Sequence, residues 1–340
     1  MVASVTLTEV ARAAGVSLST ASLAFSGAGP IAAATRERVL GAAADLGYTG
    51  PNPMAASLRR GRSGVVGIVI DNDLRYSFRD PVSLQTLDGI TESLGEAGYG
   101  VLLIPREDPA GRPHPLLQNA AIDAAILFYA LAPRDRAVRT LRGRGVAMIA
   151  LNGRPRGATS ITVEDERGMR LIAEHLRARG HTRVALATLP YSPGLRRGEV
   201  DPADDPVYQV TAHRLAGLRS GGIEPVAIWE CRGSLVDEGI TAGHALLAHH
   251  PTALVGQSDL IAAGMLLAVR ERELAVPDDV AVAGFDGVDL PWIGEDRLTT
   301  IDQPRRDRGK VIAEAAIELA HGRPARGRVL GVELRPGSTS

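Results

Sequence analysis

Short hydroxyl side chains gather near the amino terminus, just after a glycine. Gly15 is followed by the run Ser17-Leu18-Ser19-Thr20. A helix-turn-helix needs a small residue between its two helices, so that the second packs steeply against the first, and short polar side chains where the second begins. Hydroxyls in such a place can hydrogen-bond to phosphate oxygens and to base edges in a DNA groove. The chemistry that this spacing predicts is recognition of a duplex.

Three helical patterns between residues 5 and 47 must hold these hydroxyls in place. The first helix is predicted over 8–14, with Thr8 as its cap. Its side chains expected to face inward are Val10, Ala13 and Ala14. The second begins after Ser17, whose hydroxyl can accept from the free amides of the first turn, and continues to Phe25. The third covers about 33–46, and its predicted buried stripe consists of Val39, Leu40, Ala43 and Leu46.

Length and composition place these helices in a larger globular protein. The chain has 340 residues, of which 45% are hydrophobic and 23% charged, and this predicts two or three folding units. No run reaches the roughly 18 apolar residues that a membrane span needs. Glu9 and Arg12 interrupt the amino terminus before a secretory signal could develop, so we expect a cytoplasmic location.

Charge and cysteine content narrow the function classes. Residues 1–62 contain six arginines and three acidic residues, a net charge of +3, whereas the whole chain has a net charge of -1. A basic amino-terminal unit is typical of a module that faces phosphates. Cys231 is the single cysteine, which excludes an intramolecular disulfide and a cysteine-rich zinc site. We expect it to pack as a small apolar side chain, with a reactive thiol as the alternative.

The pattern changes after residue 64 to apolar runs that alternate with helical stretches. The runs cover 65–70, 101–104, 124–128 and 146–150, and then 184–188, 226–229, 253–256 and 280–285. Continuous apolar runs separated by helices are typical of parallel strands covered on both faces. The sequence therefore predicts two doubly wound α/β sheets in series. Ligands in such sheets bind beyond the carboxyl ends of the strands.

The amino-terminal segment VTLTEVARAAGVSLSTASLAFSGAGPIAAATRERVLGAAADLGY resembles the headpiece of the lactose-repressor (LacI/GalR) family of transcriptional regulators. The resemblance implies that Leu18, Ser19 and Leu23 face base edges in the major groove. It places near phosphates, or among the other DNA-contacting positions, the residues Thr6, Ser17, Thr20, Ser22, Ser26 and Tyr48.

Some positions depart from the family pattern. Leu23 stands where relatives commonly have Arg, and leucine cannot make the bidentate contact to guanine, so we expect apolar contact with a thymine methyl or weak discrimination there. Ser26 replaces the usual Asn, and Ala32 replaces a frequent cap serine. Two alternatives remain open: the three helices could bind protein instead of DNA, and Leu18 and Leu23 could be core residues.

A short segment after the headpiece resembles the family's hinge helix, which forms on the operator and inserts a leucine into the minor groove. Here Asn52 would cap it, Pro53 would be its first residue and Leu58 the wedge, with Ala56 and Arg59 also at the DNA. Two helical turns are well below the ~12 residues needed for marginal stability. We therefore expect this helix to fold only on DNA and beside its partner, so that an effector can melt it. The alternative is an unstructured tether.

The body resembles the periplasmic-sugar-binding-like core of the family, most plainly in SDLIAAGMLLAVRERELAVPDDVAVAGFDGVDL and LTTIDQP. The resemblance implies that Arg214 and Asp286 bind the effector, Asp286 accepting from hydroxyls and Arg214 offering a planar set of donors. Further candidates are Tyr76, Phe78, Ser258 and Asp259. A surface or interdomain salt bridge is the alternative for Arg214 and Asp286, and ordinary packing for the aromatic residues. The long loop 190–208 is either functional or disordered.

These inferences predict an α/β protein with an amino-terminal helix-turn-helix, a hinge, and a two-lobed periplasmic-binding-protein-like body with two doubly wound parallel sheets. The predicted bounds are 1–50 for the headpiece, 51–63 for the hinge and 64–340 for the body, with one lobe from 64–163 and 291–323 and the other from 164–290 and 324–340. Its expected partners are an operator duplex, a second copy of the chain as a homodimer, and a small effector such as a sugar; no cofactor or membrane partner is expected. A secreted solute-binding protein would lack residues 1–62, an enzyme would need a nucleophile with a base or a metal cluster, and a purely structural homodimer would not bind DNA.

Overall fold

The fold is described by a computed structural model that covers residues 5–26, 29–50, 61–71, 77–194, 196–201 and 203–340. The chain divides after Gly64 into a small amino-terminal unit and a large one. Among the described helices none is long and apolar enough to cross a membrane.

The small unit contains three helices: α1, Leu7–Ala13; α2, Leu18–Ser26; and α3, Ala33–Asp45. Its buried side chains are small, which lets the helices approach closely: Val10, Ala11, Ala14, Ala21, Ala24, Val39 and Ala43. Gly15 links α1 to α2 with a φ of +63°, a conformation that L side chains rarely adopt. The predicted three-helix headpiece is therefore present.

Three details of the headpiece differ from the prediction. Thr6, not Thr8, caps α1, because its side chain accepts from the Glu9 amide while the Glu9 carboxylate binds the Thr6 amide at 2.7 Å. Ala11 rather than Ala13 is buried, because Ala11 lies with Val10 and Ala14 on the face of the helix that packs inward. On α3, only half of the predicted stripe is buried: Leu40 and Leu46 are exposed.

The first sheet of the large unit has six parallel strands in the order β12-β5-β4-β3-β1-β2. Its strands are β1, Val65–Ile70; β2, Gly100–Pro105; β3, Ala124–Ala130; β4, Ala147–Asn152; β5, Ala158–Val163; and β12, Arg328–Leu330. The helices of this lobe are α4, Pro81–Glu96; α5, Pro115–Asn119; α6, Arg136–Gly143; and α11, Arg305–Ala320. Buried branched residues of these strands and helices fill the core.

The second sheet has five strands in the order β10-β9-β6-β8-β7, all parallel except the edge strand β7. The strands are β6, Val184–Thr188; β7, Gly198–Val200; β8, Ala227–Glu230; β9, Ala253–Gly256; and β10, Ala281–Ala283. The helices are α7, Asp165–Ala178; α8, Gln209–Ser220; α9, Val236–Leu247; and α10, Asp259–Glu271, with a 3-10 helix at Pro291–Ile293. A separate antiparallel pair joins β11, Thr300–Asp302, to β13, Glu333–Arg335. Cys231 is buried in this lobe, and burial raises the pKa of its thiol, in keeping with an apolar packing role.

The chain passes between the lobes at points that differ from the predicted ones. Residues 291–302 were expected in the first lobe, yet Ile293, Leu298 and Ile301 pack in cores of the second. Residues 328–330 were expected in the second lobe, yet β12 pairs with β5 of the first sheet. The reason is that these segments are too short to show a periodicity, so that only pairing reveals their lobe.

Candidate DNA-contacting surface and effector cleft

The hydroxyl run opens α2 and is held by its own hydrogen bonds. The Ser17 hydroxyl accepts from the Thr20 amide at 3.1 Å, which caps the helix as predicted. The same oxygen lies 2.8 Å from the hydroxyls of Ser19 and of Thr20. Ser17 and Ser19 are exposed. The result is a compact cluster of hydroxyls at the positive end of a helix, an arrangement suited to phosphate oxygens.

The two leucines of this surface differ. Leu18 is 51% exposed at the first position of α2, which excludes the core alternative for it. Leu23 is half-buried and packs towards Gly29, where an added Cβ would lie 3.1 Å from its Cδ2 atom. Leu18 is therefore an apolar side chain available to a partner, while Leu23 also has a packing role.

The other predicted DNA residues have mixed surroundings. Thr6 is the α1 cap described above, Ser22 is half-buried, and the Tyr48 ring packs edge-on against Phe25 with centroids 5.4 Å apart. The side chain of Ser26 and the hinge residues Asn52, Ala56, Leu58 and Arg59 lie outside the described residues.

Sequence reasoning missed that two arginines of α3 hold the ends of the other helices. Arg38 Nε donates to the Ala14 carbonyl at 3.0 Å, and Arg36 Nε donates to the Ala24 carbonyl at 3.2 Å. Carbonyls at a helix carboxyl end lack intrahelical partners, so both contacts satisfy groups that α1 and α2 leave open. From the sequence, both arginines are identified only as part of the positive charge of residues 1–62.

In the body, Arg214 lies at the centre of a buried network. Its Nε donates to Asp165 Oδ1 at 2.8 Å, and its Nη1 donates to the Gln257 carbonyl. The guanidinium also stacks on the Phe285 ring, with Cζ 3.7 Å from the centroid. Gly168 of α7 leaves the space for that ring, since an added Cβ would lie 2.6 Å from Phe285 Cε2. The side chain is thus fixed in direction by three neighbours.

Asp286 lies beside this arginine. Its Oδ1 is 3.7 Å from Arg214 Nη1 and accepts from Gln303 Nε2 at 2.7 Å. Burial raises the pKa of Asp286 well above its usual range; the Arg214 charge opposes that rise, and the charges of Asp259 and Asp80 add to it. Its φ of +138° is a strained conformation of the kind that clusters at ligand sites. The structure therefore brings together the two residues expected to bind the effector, at a buried ion pair.

Ser258 and Asp259, both predicted to contact the effector, also make hydrogen bonds within the protein. Ser258 caps α10 by accepting from the Ile261 amide at 3.2 Å, and it also accepts from the Ser234 hydroxyl. Both carboxylate oxygens of Asp259 are occupied, by the Thr300 hydroxyl at 2.5 Å and the Val288 amide at 2.8 Å. Through the Val288 amide, Asp259 also holds the segment that follows Asp286. Phe78 is half-exposed, and Tyr76 lies outside the described residues.

The first lobe contributes two charged residues that sequence reasoning missed. Arg308 of α11 is buried and donates to the Leu151 carbonyl at 2.6 Å and to Asn152 Oδ1 at 3.2 Å. Burial lowers the pKa of Arg308 to about 10, and the charges of Asp165 and Asp286 in the other lobe counteract it. Asp80 caps α4 by accepting from the Ser83 amide at 3.0 Å, and burial raises its pKa. The cluster thus spans both lobes.

A second group of charged and aromatic side chains lies at the carboxyl ends of β1 and β2. The Arg106 guanidinium lies 5.1 Å from the Tyr129 ring centroid, and it forms ion pairs with Asp71 at 3.5 Å and Asp135 at 4.0 Å. Tyr208 of the other lobe lies within reach of these charges: burial raises the pKa of its phenol, and Arg106 opposes that rise. The rule that sites follow strands would have found Asp71 and Arg106, since each comes directly after its strand.

The described residues of the loop 190–208 contact the second sheet. Arg197 Nε lies 3.1 Å from both carboxylate oxygens of Glu238, and the Tyr191 amide donates to Glu230 at 2.8 Å. Residues 198–200 of the loop form the edge strand β7. The loop thereby carries Tyr208 to the start of α8.

A cavity of about 330 Å³ borders the network without containing Arg214 or Asp286. It opens between the ends of β4 and β5 and the first turns of α7 and α8, and Asp165 is among its lining residues. Among the described residues, no group of three or more His, Cys, Asp or Glu side chains could hold a metal ion.

Comparisons with known proteins agree with both units. Residues 6–52 match the profile of bacterial regulatory proteins of the lacI family, and residues 173–340 match that of a periplasmic binding protein-like domain. An HTH-type transcriptional regulator of Mycolicibacterium smegmatis is 32% identical over 98% of this chain and 96% of its own length. The lac repressor dimer bound to operator and an anti-inducer superposes with a TM-score of 0.79, 27% identity and 99% coverage of both chains. The transcriptional regulator CelR in complex with cellobiose gives a TM-score of 0.69 at 25% identity, over 99% of this chain and 100% of that one.

A helix-turn-helix unit followed by a periplasmic-binding-protein-like body defines a transcriptional regulator with a ligand-binding domain. The chain belongs to the lacI family of bacterial regulatory proteins. The resemblance stated from the sequence, and with it the predicted fold class, is confirmed.

Proposed function

We infer that this chain is a repressor that binds a palindromic operator as a homodimer and changes its DNA affinity when a sugar or related metabolite binds between the lobes of the body. The observation that supports this most is the buried charge between the lobes. Arg305 of α11 donates to the Asp286 carbonyl, and the charges of Asp165 and Asp286 act on Arg308, so a change in lobe position alters these interactions. The lac repressor and CelR structures, with an operator and with cellobiose, support the two ligand classes.

On the DNA side, Leu18 and Ser19 would contact base edges and Ser17 and Thr20 phosphates, because they are grouped at the start of α2. Thr6, Ser22, Leu23 and Tyr48 would flank that contact. The hinge around Leu58 would become ordered when it binds the duplex, and the position of the lobes would control whether it does so.

On the effector side, Arg214 and Asp286 would bind the ligand from the second lobe, with Phe78 at the rim. Arg308 and Asn152 would meet it from the first lobe. An effector that favours one lobe arrangement shifts operator affinity only by its difference in affinity for the two states.

The test uses the full-length protein and a palindromic duplex selected in vitro by that protein. We expect binding that weakens steeply with salt, as it does when phosphates are neutralised by arginines, and a sugar that changes the affinity. Asp286→Asn keeps the shape of the site and should abolish the sugar response while leaving DNA binding intact. Glu295→Gln, an exposed change in the same lobe, is the matched control. A protein that ignores duplex DNA at low ionic strength, or an Asp286→Asn variant that responds like the parent, would contradict the proposal.

A further inference from the structure

The charge of the body is unevenly distributed along the chain. Residues 136–163 contain six arginines and residues 319–332 contain three, and neither segment contains an acidic residue. The whole chain, by contrast, has a net charge of -1. The two segments meet in the first sheet, where β12 pairs with β5 and β5 pairs with β4. One edge of this lobe is therefore strongly positive, and such a surface attracts anions.

Three of these nine arginines are used within the protein. Arg136 and Arg144 donate to backbone carbonyls, and Arg323 forms an ion pair with Glu318. The other six are exposed and have neither a hydrogen bond nor an ion pair within the described part of the chain: Arg139, Arg142, Arg154, Arg156, Arg326 and Arg328. Their charge is thus available to a molecule from outside.

Two of the six arginines line a cavity at this edge. Parallel neighbours are usually joined by a helix that covers the sheet, whereas residues 153–157 alone return the chain from β4 to β5. Beside this connection lies a cavity of about 260 Å³, lined by Arg154, Ser160, Gly327, Arg328 and Val329. The Ser160 hydroxyl has no hydrogen bond to a described residue. The described lining thus offers two guanidiniums and a hydroxyl without an acidic group, and guanidiniums bind phosphate well.

The cavity of about 330 Å³ described above adjoins this one, because Arg154 and Val329 line both. Its lining contains equal numbers of basic and acidic side chains, namely Arg154, Arg167 and Arg170 against Glu164, Asp165 and Glu166. Thr162, Gln209 and His213 are its other polar lining residues. Donors and acceptors without a net charge suit the hydroxyls of a ligand, each of which both donates and accepts.

We propose that the two adjoining cavities form a second ligand site for a small phosphorylated molecule with several hydroxyls, of which sugar phosphates are the simplest examples. The phosphate binds between Arg154 and Arg328, with the Ser160 hydroxyl as a further donor. The hydroxyls contact the balanced lining of the larger cavity, whose volume is that of a small-molecule site. The described lining of both cavities includes neither Arg214 nor Asp286, so this site is separate from that of the proposed effector.

The first test measures binding by isothermal titration calorimetry at one ionic strength, on the full-length protein and on its Asp286→Asn variant. The probes are glucose 6-phosphate, fructose 6-phosphate and ribose 5-phosphate, each beside its parent sugar, and inorganic phosphate. In the variant, where the effector cleft is impaired, we expect at least one sugar phosphate to bind roughly tenfold or more tightly than its parent sugar and than inorganic phosphate, because only it uses both cavities.

Three results of this test would overturn the inference. All three sugar phosphates could fail to bind the parent protein, or inorganic phosphate could bind as tightly as they do. A sugar phosphate that binds the parent protein but not the Asp286→Asn variant would lie in the effector cleft instead, which would support the proposed function and count against a second site.

The second test locates the site with single arginine substitutions. Arg154→Gln and Arg328→Gln each remove one guanidinium from the smaller cavity, so each should weaken binding of the sugar phosphate about tenfold. Arg139→Gln is the matched control, since Arg139 is also exposed on the basic edge but lines neither cavity, and it should leave the affinity nearly unchanged. Equal weakening in all three variants would mean that the edge attracts anions only through its overall charge. Weaker binding of non-operator DNA by the two cavity variants, with sugar phosphate binding unchanged, would make the edge a nucleic-acid surface; either result refutes the site.

Discussion

The exposed hydroxyls at the start of α2 and the buried network around Arg214 differ in how their side chains are held in place. Ser17, Ser19 and Leu18 are exposed and held by a helix that they themselves begin. Arg214 and Asp286 are buried, and partners from several distant parts of the chain hold them. An exposed side chain that contacts DNA can be substituted with little loss of stability. In the buried network, by contrast, ligand binding and stability depend on the same contacts.

The largest effect is expected where the buried network is broken. Asp165→Ala leaves the buried Arg214 guanidinium without its 2.8 Å carboxylate partner. Removing one member of a buried pair typically costs about 3 to 5 kcal/mol in the free energy of unfolding. Chemical denaturation of the body should show this loss, while Glu166→Ala, an exposed neighbour on the same helix, should change little. A loss below about 1 kcal/mol for Asp165→Ala would mean that the network does not stabilise the body.

The same network should make the stability of the body depend on pH. Burial raises the pKa of Asp259 to about 6, against about 3.9 in an unfolded chain. The folded protein therefore binds a proton between pH 4 and 6 that the unfolded chain has released. The free energy of unfolding should then fall as the pH rises through 6, by about 1 to 3 kcal/mol.

The measurement is denaturation between pH 5 and 7.5. The lower limit excludes the opposite contribution of exposed carboxylates such as Glu92 and Glu318, whose pKa values are lowered by arginine and lysine partners and whose stabilisation is lost on further acidification. Asp259→Asn should flatten the slope. A falling slope that persists in that variant would come from the raised pKa of Asp80 or Asp286. Burial lowers the pKa of His175 and of His181, which makes stability rise with pH in both proteins, so only the difference between the two slopes is attributed to Asp259.

The contrast also explains which parts could be predicted from sequence. The helices of the headpiece and runs such as 184–188 and 253–256 follow from local periodicity, because each element's own residues fix it. Ser17 as a cap was predictable for the same reason. Arg308 and Asp80 were not, because they belong to the site only through the parallel sheets that bring strand ends and helices together. The hydrogen bond from the Thr300 hydroxyl to Asp259 joins residues that are 41 positions apart in the sequence, so no local pattern predicts it.

In the headpiece, substitutions of Leu18 and Leu23 should distinguish a side chain that only contacts DNA from one that also packs within the fold. Leu18→Ala should weaken operator binding about tenfold, the value of one lost base contact, with almost no change in Tm because the side chain is half-exposed. Leu23→Ala should weaken binding and also lower Tm slightly, since Leu23 packs towards Gly29. Fluorescence anisotropy on operators varied at one base pair checks both. A strong guanine preference at the Leu23 position that is lost in Leu23→Ala would contradict apolar readout there.

The smallest effect is expected for two headpiece arginines, one of which supplies only positive charge while the other also makes a hydrogen bond within the fold. Arg38→Ala and Arg12→Ala each remove one positive charge, so both should reduce the salt dependence of DNA binding by a similar, small amount. Only Arg38 closes the carboxyl end of α1, through its 3.0 Å bond to the Ala14 carbonyl. Arg38→Ala should therefore also cost about 1 kcal/mol in the free energy of unfolding, the usual value of one hydrogen bond, while Arg12→Ala should cost much less. Equal stability of the two variants would mean that the headpiece uses these arginines only as charge, unlike the cleft, where Arg214 also stabilises the fold.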